Sequence, residues 1–139
     1  MTLFLLDTNV VSELRRVRPH GALVAWLNSA SEASLRVCAV TLGEIQRGVE
    51  ITRERDTAKA REIEAWADRL EQTFAVVPAD AAVFRQHARL MRRRPNAVYE
   101  DALIAATASV YDFTVVTRNV ADFEGLGVRV FDPFQFRGG

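Results

Sequence analysis

Four carboxylates in this chain stand where the polypeptide passes from an apolar run into a polar turn or a helix start. Asp7 directly follows Leu3–Leu6, and Glu44 comes a few residues after Leu35–Val40. Asp101 opens an alanine-rich segment, and Asp122 lies five residues after Thr117. Each has an ordinary structural reading taken alone. Asp7 suits a helix N-cap, and Thr41-x-x-Glu44 matches a capping box. Asp101 in a first helical turn is favoured by the macrodipole, and Asp122 suits a loop. Their joint placement says more. Four carboxylates brought together without a lysine or histidine cluster repel and raise one another's pKa. A hard divalent cation with oxygen ligands resolves that repulsion, and Mg²⁺ or Mn²⁺ suits the donor set better than a softer metal.

The elements that must gather these acids are legible as alternating short apolar runs and amphipathic segments. Strands are predicted over 3–6, 35–40, 74–77, 113–117 and 128–131. Helices are predicted over 10–16, around Leu23, Trp26 and Leu27, from Thr41 toward Val49, over 56–73, from Asp80 to Met91, and over 102–111. In the longest helix Ile63, Trp66, Leu70 and Phe74 recur at spacings of three and four and mark a buried face. Val83, Phe84, His87, Leu90 and Met91 are the expected core positions of the next, which ends in Arg92-Arg93-Arg94 before Pro95. Residues 96–100 read as a loop. Continuous apolar strands alternating with helices predict an α/β fold with a parallel sheet covered by helices on both faces. In such a sheet the ligand site lies beyond the carboxyl ends of the strands, where the four acids fall.

Composition bounds the rest. The 139 residues, 49% apolar and 26% charged, suffice for one domain with a real core, spanning 1–139. Eighteen cations balance eighteen anions, which excludes a histone-like positive coat while permitting a local basic groove. All the cations but Lys59 are arginine. The single Cys38 forms no intrachain disulfide and no thiolate cluster, so the cytoplasm is the expected compartment, and Cys38 reads as a small core hydrophobe. The start MTLFLLDTN does not read as a signal peptide, and no run approaches the ~18 apolar residues of a membrane span.

LLDTNVVSEL at 5–14, TLGEIQRGV at 41–49, EDALIAATA at 100–108 and VVTRNVADFEGLGVRVFDPF at 115–134 resemble, in order, the four signature blocks of PIN-domain ribonucleases. The similarity is closest to the FitB and VapC toxins of bacterial toxin–antitoxin pairs. It implies a single PIN-like domain with a five-stranded parallel sheet and a metal-dependent endoribonuclease activity on RNA. By position, Asp7, Glu44 and Asp101 match the three core acids of the family and Asp122 the less uniform fourth. Asn119 sits where some members place another polar or acidic residue. The resemblance further implies a homodimer and a cognate antitoxin whose tail lies across the site, with DNA contacted only through that antitoxin.

On this reading Asp7 and Asp101 are the principal metal ligands, Glu44 completes the set, and Asp122 orients a second metal or the attacking water. Thr8, Asn9 and Thr117 hold the carboxylates in orientation. Arg15, Arg16, Arg18 and Arg118 are the expected phosphate contacts, whereas Arg92–Arg94 read as a solvated helix end. His20 and His87 are not expected to be catalytic, and Trp26 and Trp66 sit at core spacing. An aspartyl-phosphate protein is disfavoured because Asn9 stands where a phosphatase wants a second aspartate and no lysine follows Lys59. A flap-type DNA nuclease would need long insertions that 139 residues do not hold. A catalytically silent interaction module is the other alternative, and the presence of all four acids argues against it.

Overall fold

The computed structural model describes residues 1–138. Five parallel strands, β1 (Phe4–Leu6), β2 (Leu35–Cys38), β3 (Ala75–Val77), β4 (Thr114–Val116) and β5 (Val130–Phe131), form one sheet in the order β3-β2-β1-β4-β5. β1 is central, with Leu6 opposite Val37 on one side and Val116 on the other. The expected parallel sheet is therefore present, and its switch of direction falls at β1, immediately before Asp7.

The sheet divides the core in two because successive side chains point to opposite faces. Leu6, Leu35, Val37 and Val116 pack on one face. There they meet α1 (Thr8–Glu13), α2 (Gly21–Ser29), α3 (Ala39–Arg53) and α4 (Thr57–Thr73). Leu5, Cys38 and Val115 point the other way, onto Ala102, Ile104, Ala105 and Ala108 of α6 (Tyr99–Tyr111). The alanines let α6 approach the sheet closely, and α5 (Ala81–Leu90) packs outside it through Val83, against Leu103 and Ala106. Asp56 and Asp80 cap α4 and α5 by accepting from the backbone N–H groups of Lys59 and Val83, both at 3.0 Å. Asp112, at φ 59°, ends α6 in the left-handed conformation and turns the chain into β4.

Several local expectations are corrected. The first helix begins at Thr8 and ends at Glu13 rather than running from Val10 to Arg16. β2 stops at Cys38, and α3 starts at Ala39 with Cys38 in the cap position. Thr41 is therefore inside the helix and forms no capping box. Its hydroxyl, buried, lies 3.1 Å from that of Thr8. Residues 96–98 form a 3₁₀ turn and α6 opens at Tyr99, so Asp101 is its third residue and not its first. Phe84 is 46% exposed, because the buried stripe of α5 runs through Val83 and His87 instead. Trp66 is half-buried, packing on the core with one edge and opening onto the surface with the other.

Candidate active site

The site starts at the carboxyl end of β1. Asp7 is 5% exposed, and a carboxylate so placed needs donors. It has three. The N–H of Thr8 donates to Oδ1 at 2.8 Å, while the Thr117 hydroxyl and the Asn9 amide donate to Oδ2 at 2.8 and 3.2 Å. Thr117 stands just past β4, so the parallel pairing of β1 with β4 is what brings the two residues together. Its hydroxyl spends its one proton on Asp7 and accepts from the Asn9 amide at 3.1 Å and the Asn119 N–H at 3.0 Å, which fills its hydrogen-bonding capacity. Asn9 closes the circuit by accepting the Arg118 N–H on Oδ1 at 3.2 Å. Burial pushes the pKa of Asp7 up, and the Thr117 and Thr8 hydrogen bonds pull against it.

The other acids face Asp7 from the neighbouring helices. Glu44, on α3, is raised to about 7 by burial first and then by the charges of Glu100 and Asp7. Asp101, on α6, is raised to about 6 by burial and by the charges of Asp7, Asp122 and Glu100. Asp122 lies exposed in a 3₁₀ turn, Val120–Phe123, and its charge reaches both Asp7 and Asp101. The fold thus gathers all four predicted acids at one end of the sheet. It adds a fifth, Glu100, whose charge bears on both Glu44 and Asp101 and whose carboxyl stands 3.9 Å from Arg47. Glu100 directly precedes Asp101 in the sequence, and the only hint of it was that doubled acid. Asn119 serves the circuit through its backbone, whereas Asp122 acts on the acids through its charge.

These donors fit Mg²⁺ in a particular way. All are hard carboxylate or hydroxyl oxygens, and burial with the neighbouring carboxylates disfavours the ionised forms of Glu44 and Asp101, a cost that a bound cation would relieve. Among the described residues no three His, Cys, Asp or Glu side chains form a ready-made metal cage. Mg²⁺ does not require one, since it is commonly held by one or two carboxylates, waters and substrate phosphate oxygens.

The surrounding cations and rings fall into place around the acids. Arg118 lays its guanidinium over the Phe134 ring, 4.1 Å from the centroid, and the His20 ring meets Phe134 edge-on at 5.1 Å. His20 also caps α2 through Nδ1, which accepts from the Ala22 N–H. Arg15, Arg16 and Arg18 are exposed beyond α1, with Arg16 paired to Glu13 at 3.4 Å. Arg94 donates to the Gly125 carbonyl at 2.7 Å, so the arginine run is partly tied into the fold. His87 is buried with Nε2 on the Tyr99 carbonyl at 3.1 Å, the satisfied core histidine its position predicts. Cys38 is buried against the Thr107 hydroxyl, and burial pushes its thiol pKa up. No helix among the described residues is long and apolar enough to cross a membrane.

A central strand running into a buried aspartate, with further acids converging from flanking helices, defines a class of compact parallel α/β proteins with an acidic site. Within it this chain belongs to the PIN-domain family, whose sequence profile matches residues 4–126. VapC ribonuclease Y4jK of Sinorhizobium fredii is 31% identical over 96% of this chain and 99% of its own length. Toxin FitB of Neisseria gonorrhoeae is 32% identical over the same shares. In a solved structure of FitAB bound to a DNA fragment, one chain superposes with a TM-score of 0.80 at 29% identity, covering 98% of this chain and 99% of that one.

Proposed function

We propose that this chain is a Mg²⁺-dependent endoribonuclease, active also with Mn²⁺, and the toxin of a toxin–antitoxin pair. The observation that carries the reading is the convergence of Asp7, Glu44, Asp101 and Asp122 at the carboxyl end of the sheet, with Glu44 and Asp101 each raised by burial and by the charges of Asp7 and Glu100. The relatives named as a VapC ribonuclease and as toxin FitB support it. When bound, the cation supplies water of lowered pKa and neutralises charge gathering on the scissile phosphate. Asp7 and Asp101 would be its principal ligands, with Glu44 holding it directly or through water and Asp122 orienting the attacking water. Thr117, Asn9 and the Thr8 N–H hold Asp7 at a fixed angle, so little reorganisation accompanies loading. Arg118, steadied on Phe134, contacts a substrate phosphate.

The protein works in the cytoplasm as a homodimer, held silent by a cognate antitoxin through which any DNA contact is made. The solved structure of FitAB bound to a DNA fragment supports the protein partner and the DNA contact. The test is cleavage of a mixed RNA pool by antitoxin-free protein with Mg²⁺, with Mn²⁺ and with EDTA, beside Asp101→Asn. Metal-dependent cleavage that the variant loses is expected. Cleavage that persists in EDTA, or at the parent rate in Asp101→Asn, would refute the assignment.

A further inference from the structure

Beside the acids a groove runs between α1, α3 and α4. Its inner part, about 300 Å³, is bordered by Thr8 and Glu44 of the site and by Ser12, Arg15, Gly48 and Trp66. Ser12, Arg15 and Trp66 also border an outer part of about 410 Å³, whose rim carries Arg16, Lys59 and Arg69. Volumes in this range suit small ligand groups. Gly48 lies one turn beyond Glu44 on the same face of α3, and a Cβ there would meet nothing within 4 Å. Glycine inside a helix costs stability relative to alanine, and no packing contact here calls for it. What it does is leave the floor of the groove open. Trp66 stands at the junction of the two parts with its indole half-buried. Lys59 is paired with Glu62 at 3.5 Å and Arg16 with Glu13 at 3.4 Å, whereas Arg15 and Arg69 have no ion-pair partner among the described residues.

We infer that this groove is a substrate subsite that takes an unpaired base of the RNA strand, stacked on Trp66, with the adjoining phosphates on Arg15 and Arg69. The inference rests on the ribonuclease reading and deepens it. One aromatic surface bordering the same groove as two guanidinium groups without ion-pair partners suits a single strand, which alternates base and phosphate. Continuity with Glu44 and Thr8 places that base within a few nucleotides of the acids. A duplex has no splayed base to offer, so the subsite selects single-stranded or looped RNA.

The test uses the full chain in EDTA at low salt, where no cleavage proceeds, and follows the two indole N–H resonances, from Trp26 and Trp66. An eight-nucleotide oligoribonucleotide is expected to shift the Trp66 signal, and an abasic ribose-phosphate oligomer of equal length to leave it in place. Trp66→Leu should raise KM roughly ten-fold with kcat little changed, and Trp66→Phe should retain most of the affinity. Arg15→Ala should lower the slope of log affinity against log salt by about 1. Gly48→Leu fills the floor without straining α3, and should weaken binding while its melting temperature stays at or above the parent's. Cleavage with a KM indifferent to Trp66 and Gly48 would overturn the subsite while leaving the ribonuclease reading intact. A Trp66 signal unmoved by RNA but shifted by the purified antitoxin would assign the groove to protein and overturn it equally. Absence of metal-dependent cleavage by the parent would instead be a failure of the underlying reading.

Discussion

Asp7 and the pair Glu44–Asp101 are carboxylates of one cluster held in opposite ways. Asp7 is the more buried, yet three donors converge on it. Glu44 and Asp101 are half-buried and are raised by burial and by the charges of neighbouring carboxylates. One half of the site is finished by the protein alone, and the other is left carrying uncompensated charge. A rigid anchor beside an electrostatically frustrated pair is what a cation site requires, since the anchor sets geometry and the frustration supplies affinity.

The sharpest way to break that contrast is to neutralise one acid from each half. Asp7→Asn and Asp101→Asn should each lower RNA cleavage by roughly 10³-fold or more, measured as kcat/KM with Mg²⁺. Their stabilities should then diverge in EDTA. Charge relief alone would favour both, but an amide at position 7 offers one acceptor to three donors, so Asp7→Asn should lose about 1–3 kcal/mol in denaturant unfolding. Asp101→Asn removes repulsion without orphaning a donor and should be as stable as the parent or more so. A stabilised Asp7→Asn would show that the hydrogen-bond circuit does not govern that half.

Thr117→Val keeps the shape and removes the hydroxyl that joins Asp7, Asn9 and Asn119. Cleavage should fall about 10- to 100-fold, with a stability loss of about 1–3 kcal/mol. The other half should answer to pH. Folded pKa values of about 7 for Glu44 and about 6 for Asp101 lie above those of the unfolded chain, near 4. The folded state therefore binds these protons more tightly. Their contribution to stability is full below about pH 4 and is lost as pH rises through 6 and 7. Melting temperatures in EDTA should show that decline, Glu44→Gln should flatten it, and millimolar Mg²⁺ should oppose it. The smallest effect belongs to Arg118→Ala, which should weaken RNA binding a few-fold and lower the salt slope by about 1 while leaving Asp101 chemistry in place.

Much of this was legible before any coordinates. The run Leu3–Leu6 broken by Asp7-Thr8-Asn9 marks the central strand because buried parallel strands are continuously apolar and must end in a polar turn. The start of α3 was hidden for the same reason: Ala39 and Val40 extend an apolar run, and nothing local tells a strand residue from the first turn of a buried helix. The partnership of Thr41 with Thr8, 33 residues apart, depends on strand order and has no sequence signal. Glu100, although it opens the EDALIAATA block, drew no role because an acid beside another at a helix start is ordinary. Phe84 illustrates the opposite error. It neighbours Val83 on a helix where adjacent residues differ by about 100°, so only one of the two can face α6. The stacking of Arg118 on Phe134 joins a residue just past β4 to one beyond β5, and no local pattern announces that pairing.

The bond between Thr117 and Asp7 spans 110 positions of sequence. During synthesis β1 emerges among the first residues, and β4, its partner on one side, among the last. A nascent chain can form α1 to α4 and pair β1 with β2 while Asp7 still lacks its hydroxyl donor. Non-local pairing of this kind is slow, because loop closure precedes the contacts that reward it. The acidic site is therefore completed only when translation is nearly finished. A chain released before residue 117 carries Asp7, Glu44 and Asp101 without the hydroxyl that orients the first of them. Under the proposed ribonuclease function, that delay would leave unfinished copies without a completed site while they are still beside the message and the ribosome making them.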